Sequence, residues 1–381
     1  MKLTIQKEDL LYAVNAVGRA ISNKNTLPIL SGIMLEAPED LPGKLVLRGT
    51  DLDLAMECLI DAEVEKTGKM VAPGRYFQEL VRHLPEGPVT LSSENTEEMR
   101  LIYEQSEIAI RCFDPEEFPA LPTAEGNIKG QIAVSTFRRM VKQVSIAAAT
   151  EEVRPLFTGI LVELAGDELV MVASDTHRLA IAVGGWQGES TGDAKLTLPC
   201  RTMQEIARLA LNDEGIVEII ASRNQAYFRL ENLTFASRVI AGQYPDYHQV
   251  LPASDLYICH TVIQRDKLTE ALERAALLSR DTARGKANIV CLKWGEQGLL
   301  LTAEAPEVGN IHEELPATLE GEQIESSYNA RYLLDALKVM EGENVAFHLT
   351  GESTPGIILP DGAVQEQSPY TYLVLPIRMR G

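Results

Sequence analysis

Apolar positions recur along the chain with two alternating periods. After Ser135, residues Phe137, Met140, Val141 and Val144 fall at i, i+3, i+4 and i+7, with Arg138, Arg139 and Lys142 on the other side, which predicts an amphipathic helix. A second such helix begins near Asp266 and turns Leu268, Ala271, Leu272 and Ala275 inward. Runs such as KLVLRG (44–49), ELVMVAS (168–174) and GLLLTAE (298–304) are short, apolar and β-branched, which suits half-buried or buried strands. Helix and strand signals follow one another as β-α-β-β-β, twice over, and predict an α+β chain.

The pattern then repeats on a larger scale. GKLVLRGTDLDLAMECLI (43–60) is matched by GDELVMVASDTHRLAIAV (166–183) and more loosely by QGLLLTAEAPEVGNIHEEL (297–315). VAPGRYFQELVRHLPEG (71–87) is matched by LPCRTMQEIARLALNDEG (198–215) and SSYNARYLLDALKVMEGE (326–343). TIQKEDLLYAVNAV (4–17), AVSTFRRMVKQVSI (133–146) and VIQRDKLTEALERAALL (262–278) form a third set. Pro73 meets Pro199, and Phe118-Pro119 meets Tyr244-Pro245, so the first two copies are one whole domain apart in sequence, too far for a solenoid unit. We read three homologous domains, 1–125, 126–253 and 254–381, with short linkers near 121–129 and 251–258 marked by Pro122 and Pro252.

Charge sharpens this reading. The chain has 381 residues and a net charge of -20, yet the same helix in every copy carries a basic pair seven residues apart: Arg75 and Arg82, Arg201 and Arg208, Arg331 and Lys338. Seven residues are almost two helical turns, so both members of a pair leave one face. An acidic protein that repeats a cationic face has separated its charges, and the expected partner is a polyanion held through its phosphates, without sequence readout. A solvated helix face is the plainer alternative. Zinc-finger spacing, a basic-region heptad and an aromatic stacking strand are missing from the sequence.

Other classes fare worse. The N-terminal MKLTIQKEDLL places charges where a signal peptide needs an apolar core, and no run of 18 apolar residues occurs, so a soluble, cytoplasmic protein without membrane contact is expected. The five cysteines (Cys58, Cys112, Cys200, Cys259 and Cys291) are scattered and lack any CxxC pair, which predicts buried thiols and neither a disulfide framework nor a metal site. Ser174-Asp175-Thr176-His177-Arg178 looks catalytic in isolation, but Asp175 aligns with Asp51, so the acid reads as scaffold. GxSxG, HExxH, P-loop and GxGxxG motifs are missing, so no catalytic residue and no cofactor is expected. The repeat fails in two places: His177-Arg178-Leu179 has no counterpart in the other copies, and the third copy ends on the apolar TYLVLPIRMRG. Such a tail either closes a sheet or lines a groove.

With TLPIL (26–30), GTDLDL (49–54), SDTHRLA (174–180), YPDYHQVLP (244–252), NARYLLDAL (329–337) and YLVLPIRM (372–379) in this order, the chain resembles the bacterial DNA polymerase III beta subunits, the β sliding clamps, over essentially its whole length. The resemblance implies three tandem DNA-clamp domains, a head-to-tail homodimeric ring with helices lining the hole and sheets outside, and duplex DNA through the middle. It implies a processivity subunit of the polymerase III holoenzyme without catalytic activity of its own. Implied partners are the replicative polymerase alpha subunit, the clamp loader, and other DNA polymerases and repair proteins that dock through short linear peptides.

Carried over residue by residue, the implied peptide pocket falls on Phe157, Ser174, Thr176, His177, Arg178, Leu179, Pro245, Val250, Tyr332, Leu373, Val374, Leu375, Pro376, Ile377, Arg378 and Met379. The implied DNA contacts are Lys24, Arg75, Arg82, Arg138, Lys142, Arg201, Arg208, Arg331 and Lys338, and the implied dimer contacts are Ile108 and Ile110 against Leu277 and Leu278. Pro155 and Leu156 stand where some members carry aromatic residues near single-stranded template, and Gln249 stands where a basic residue is frequent. A monomeric three-domain peptide-binding adaptor is the alternative; a solution mass of twice 41.9 kDa would favour the ring, and a strict monomer the adaptor.

Overall fold

A computed structural model describes residues 1–22, 27–151, 153–190, 194–278, 288–305 and 309–378. The first copy runs β1 (Lys2–Gln6), α1 (Lys7–Val17), β2 (Gly32–Ala37), β3 (Lys44–Thr50), β4 (Leu54–Asp61) with its continuation β5 (Glu63–Lys66), then β6 (Gly68–Pro73), α2 (Gly74–His83), β7 (Pro88–Ser92), β8 (Glu98–Tyr103) and β9 (Ser106–Arg111). The second runs β10 (Ile128–Ala133), α3 (Val134–Ser145), β11 (Gly159–Ala165), β12 (Glu168–Ser174), β13 (Arg178–Gly185), β14 (Gln187–Ser190), β15 (Ala194–Pro199), α4 (Cys200–Leu209), β16 (Ile216–Ala221), β17 (Gln225–Leu230) and β18 (Leu233–Arg238). The third repeats the order with β19 (Cys259–Gln264), α5 (Arg265–Leu278), β20 (Ile289–Gly295), β21 (Gly298–Ala305), β22 (Gly309–Leu315), β23 (Ala317–Gly321), β24 (Ile324–Asn329), α6 (Ala330–Val339), β25 (Asn344–Leu349), β26 (Gly356–Pro360) and β27 (Tyr370–Val374). Each copy is therefore the β-α-β-β-β unit performed twice.

Within each copy the halves exchange their first strands. β1 pairs with β7 of the other half, and β6 pairs with β2. The same exchange recurs as β10 with β16 and β15 with β11, then as β19 with β25 and β24 with β20. Each half thus completes the other's sheet.

The sheets also cross the boundaries between copies. β18 pairs with β4 through Leu233↔Cys58 to Ser237↔Leu54, which makes the nine-stranded sheet β14-β10-β16-β17-β18-β4-β3-β2-β6. β13 pairs with β27 through Arg178↔Val374 to Ala182↔Tyr370, within the nine-stranded sheet β15-β11-β12-β13-β27-β26-β25-β19-β23. A five-stranded sheet, β5-β1-β7-β8-β9, and a four-stranded one, β22-β21-β20-β24, complete the set. By contact density there are two compact units, and the central copy is divided between them: one holds residues 1–135, 187–191 and 205–239, the other 136–186, 192–204 and 240–381.

Helix cores follow the apolar stripes. Phe137, Met140, Val141 and Val144 of α3 are buried, as are Leu268, Ala271, Leu272 and Ala275 of α5. On α2 the buried residues are Gly74, Phe77 and Val81. Arg75 stands about 200° round the axis from Phe77, so burying the aromatic ring turns the guanidinium outward. Burial of each of the larger side chains among them is worth roughly 1.5–3 kcal/mol, far more than helix propensity contributes.

The connections between copies, 112–127 and 239–258, are longer than the sequence suggested. Phe118 explains the first: buried with Ile29, Leu30 and Val71, it fixes the linker on its own unit. Tyr244 and Tyr247 do the same in the second unit, in a cluster with Leu161, Leu179 and Leu373. No helix among the described residues is long and apolar enough to cross a membrane.

All five cysteines are free thiols; Cys58, Cys200 and Cys259 are buried, whereas Cys112 and Cys291 are only partly so, which corrects the uniform burial expected of them. Burial pushes the Cys58 thiol up to about 12 and those of Cys112, Cys200 and Cys259 up to about 11. Since the thiolate is the nucleophile, labelling of Cys58, Cys112, Cys200 and Cys259 in the native protein by a disulfide-exchange reagent near pH 8 should run roughly a hundredfold or more slower than in denaturant and should accelerate as pH rises. Native rates equal to denatured rates would show these thiols to be accessible and ionised.

Candidate functional sites

The basic pairs lie on α2, α4 and α6, and all six side chains are exposed. Their positions within the helices are the same. Arg75, Arg201 and Arg331 are each the second residue of a 10-residue helix, while Arg82, Arg208 and Lys338 each lie in the last turn. The C-terminal members suit the helix macrodipole. The N-terminal members oppose it, at a cost of about 0.3–1 kcal/mol each. The cation recurs there three times over at that cost; at α6 the N-terminus is capped, with Arg331 N donating to Asn329 Oδ1 at 3.0 Å.

Each C-terminal cation also has an acid beside it. Arg82 pairs with Glu79, Arg208 with Glu205 at 3.6 Å, and Lys338 with Glu273 on α5 at 2.9 Å. The basic partners are more than half exposed in every pair, so the bridges are weak and a phosphate can compete for the cation. Arg138 on α3 is half-buried and Lys142 is exposed. Lys24 lies outside the described residues.

The catalytic-looking run is a turn between β12 and β13. Asp175 Oδ1 accepts the backbone N–H groups of His177 and Arg178 at 2.9 and 3.1 Å, while Ser174 Oγ accepts from Thr176 N and donates to Arg178 O. The first copy has the same turn. Asp51 Oδ1 accepts from Asp53 and Leu54, and Thr50 Oγ1 accepts from Leu52 N and donates to Leu54 O. Leu52 and Thr176 occupy the left-handed region at φ 78° and 77°. That conformation is unfavourable for a branched residue and is held by the acid below it. The carboxylate is scaffold, as its alignment indicated.

What differs is the residue after the turn. Arg178 replaces Leu54, and its Nε donates to Asp175 Oδ2 at 3.0 Å while NH1 donates to Asp335 Oδ2 on α6 at 2.6 Å. The guanidinium carbon lies 4.3 Å from the centre of the Tyr332 ring, and His177 stacks over the same ring at 6.4 Å. Burial alone would lower the proton affinity of Arg178, but Tyr372, Asp335 and Asp175 outweigh it and hold it charged. Tyr372 in turn donates to Tyr332 O at 2.8 Å. Asp335 and Tyr372 were not among the site residues expected from the sequence; a polar residue one turn beyond Tyr332 on α6 was the only available signal.

Beside this network lies apolar surface. Leu179, Tyr244, Leu373, Leu161 and Ile357 are buried together, with Leu156, Phe157 and Leu251 half-buried against them. Phe157 meets Tyr244 edge-on, with ring centres 5.8 Å apart. Val250 and Leu375 stand at the rim, 52% and 38% exposed, and Pro245 is exposed on the linker.

The tail first does one of the two things the sequence left open: it closes a sheet. Leu373 and Val374 are buried in β27 and close the sheet. Leu375, Pro376, Ile377 and Arg378 then run over the surface, pinned where Leu375 N donates to His177 O at 2.9 Å and Ile377 N donates to Ser327 O at 2.7 Å. Leu373 and Val374 are therefore part of the core, while the next four residues run along the surface beside His177 and Ser327. Met379 lies outside the described residues.

Ile108 and Ile110 are half-buried on β9, the edge strand of the five-stranded sheet. Leu277, near the end of α5, is 64% exposed. The side chain of Leu278 lies outside the described residues.

Three copies of a duplicated β-α-β-β-β unit, joined by sheets continuous between neighbouring copies, define the three-domain DNA-clamp fold. The comparisons with known proteins agree: the N-terminal, central and C-terminal domain models of the DNA polymerase III beta subunit match residues 1–122, 131–246 and 248–378. The chain belongs to this family, the β sliding clamps. It is 30% identical to the beta sliding clamp of Staphylococcus epidermidis over 387 residues, covering 99% of each protein, and 30% identical to that of Staphylococcus aureus over 388 residues with the same coverage. Among solved structures, the DNA polymerase sliding clamp of Bacillus subtilis superposes with a TM-score of 0.93 at 28% identity, covering 100% of both chains. The Pseudomonas aeruginosa sliding clamp bound to griselimycin gives 0.92 at 28% identity, again covering 100% of both chains.

Proposed function

We propose that two copies of this chain close head to tail into a ring that encircles duplex DNA in the cytoplasm and tethers polymerases and other replication and repair proteins, with no catalysis of its own. The three domains are taken as 1–125, 126–253 and 254–381. The observation that carries the reading is the threefold recurrence of an exposed arginine at the second residue of a 10-residue helix, against the helix dipole. Arg75, Arg201 and Arg331 meet phosphates, as do Arg82, Arg208 and Lys338, which exchange their acidic neighbours for phosphate. Arg138, Lys142 and Lys24 add to the same field. These contacts are weak and independent of sequence, as sliding requires.

Ring closure uses Ile108 and Ile110 of one copy against Leu277 and Leu278 of the other, a heterologous contact that closes after two protomers. Its support is that β9 is an edge strand and Leu277 is exposed. Partner peptides use the groove edged by His177, Arg178 and Leu375 to Arg378, with apolar anchors seated over Leu179, Phe157 and Leu373.

The test is a Leu277→Asp, Leu278→Asp double variant. At micromolar concentration it should sediment as a folded monomer and lose retention on circular DNA. A variant that stays dimeric overturns the interface. A wild-type chain that is strictly monomeric yet binds partner peptides would favour an adaptor instead.

A further inference from the structure

In the third copy, a row of metal-ligating side chain types crosses three neighbouring strands, away from both sites described above. β19 lies between β25 and β23, and His260 on β19 is directly opposite His348 on one side and Glu320 on the other. Directly opposed residues of antiparallel strands project from the same face, with Cβ atoms about 4.5–5.5 Å apart, so the three side chains share one face in one line.

The two imidazoles are already turned towards each other. His260 Nδ1 and His348 Nδ1 are 3.0 Å apart, with the rings at 72°. Tyr257 holds this arrangement, stacking on His348 at 5.0 Å and meeting His260 edge-on at 5.8 Å, while its hydroxyl donates to Gln365 Oε1. Without a ligand, one Nδ1 must carry a proton and donate to the other. If both rings take the Nε2–H tautomer instead, two lone pairs converge on one point. Metal–nitrogen bonds of tetrahedral zinc place two imidazole nitrogens about 3.3 Å apart, so the pair needs to open by only a few tenths of an ångström.

We propose that His260 and His348 form a two-imidazole chelate for a divalent transition-metal ion of the zinc class, with Glu320 as third ligand and water completing the shell. Among the described residues no three ligand side chains are gathered at metal-binding distance, so the exposed Glu320 must rotate inward from the neighbouring strand. Imidazole selects zinc, nickel or copper over magnesium and calcium, which prefer all-oxygen shells. A bound ion would cross-link β25, β19 and β23 and stabilise the third copy through mass action.

The experiment is titration of chelator-treated, full-length protein with zinc chloride by calorimetry, with thermal unfolding in parallel. One saturable site per chain and a raised Tm are expected. His260→Asn and His348→Asn should each weaken binding by roughly tenfold or more, Glu320→Gln by less, and millimolar magnesium should not compete. A wild-type protein without a saturable site up to about 1 mM zinc overturns the proposal, as does a site that survives in the His260→Asn, His348→Asn double variant. If those variants fail to fold, imidazole nitrogen NMR of the unsubstituted protein decides. Zinc should move the Nδ1 resonances of two of the six histidines, and movement of none, or of Nε2 resonances only, overturns the assignment.

Discussion

Loaded onto nicked circular duplex, the protein should remain bound through gel filtration, and linearising the circle should release it. Topology, not affinity, holds a ring, so retention should follow the continuity of the DNA and change little with salt, whereas ordinary phosphate binding collapses steeply as salt rises. Equal retention on circles and linear DNA would remove the clamp reading. Replacing Arg75, Arg201 and Arg331 together by Glu should reduce loading or retention by roughly tenfold or more, since three phosphate contacts become three repulsions. The same helix positions predict an opposite effect on stability. Because these cations oppose the helix dipole, Gln at each should leave Tm unchanged or slightly raised while weakening DNA contact. A triple Gln variant that unfolds earlier would make the arginines structural.

Deleting Leu375 to Gly381 should abolish binding of a polymerase-derived peptide, a loss of roughly tenfold or more by fluorescence polarisation, while the chain stays dimeric. The deletion begins after β27, so the pairing of Leu373 with Leu179 and Ile357 is kept. What it removes is the surface edge pinned to His177 O and Ser327 O. Unchanged peptide affinity on a confirmed dimer would take the tail out of the site and leave only the side built by His177, Arg178 and Leu179. An Arg178→Gln variant should also weaken binding, because Asp175, Asp335 and Tyr332 would lose the cation that joins them.

Much of the site was legible because it is local. The Asp175 turn is closed within four residues, so the alignment with Asp51 sufficed to identify the acid as scaffold and to mark Arg178 as the departure. The basic pairs were legible for the same reason, since helical period alone places Arg75 and Arg82 on one face. Arg178's partner on α6 was not: Asp335 is 157 residues away, and nothing in the spacing of either segment specifies the meeting. The acids beside Arg82, Arg208 and Lys338 divide along the same line. Glu79 and Glu205 sit one turn away on the same helix, whereas Glu273 arrives from α5.

The sequence by itself determined the threefold repeat, the two half-units in each copy, the buried stripes of the helices and the places where the pattern fails. These follow from periods of 2 and 3.6 and from direct comparison of segments, which involve only neighbours along the chain. Only the tertiary structure decided which strand pairs with which. A strand's alternation specifies a face but not a partner, so the exchange of β1 and β6 between halves and the joining of β18 to β4 and β13 to β27 could not be read from it. That joining sets β27 beside β13, where backbone hydrogen bonds and the burial of Leu179 with Leu373 bring the two departures from the repeat together in one place.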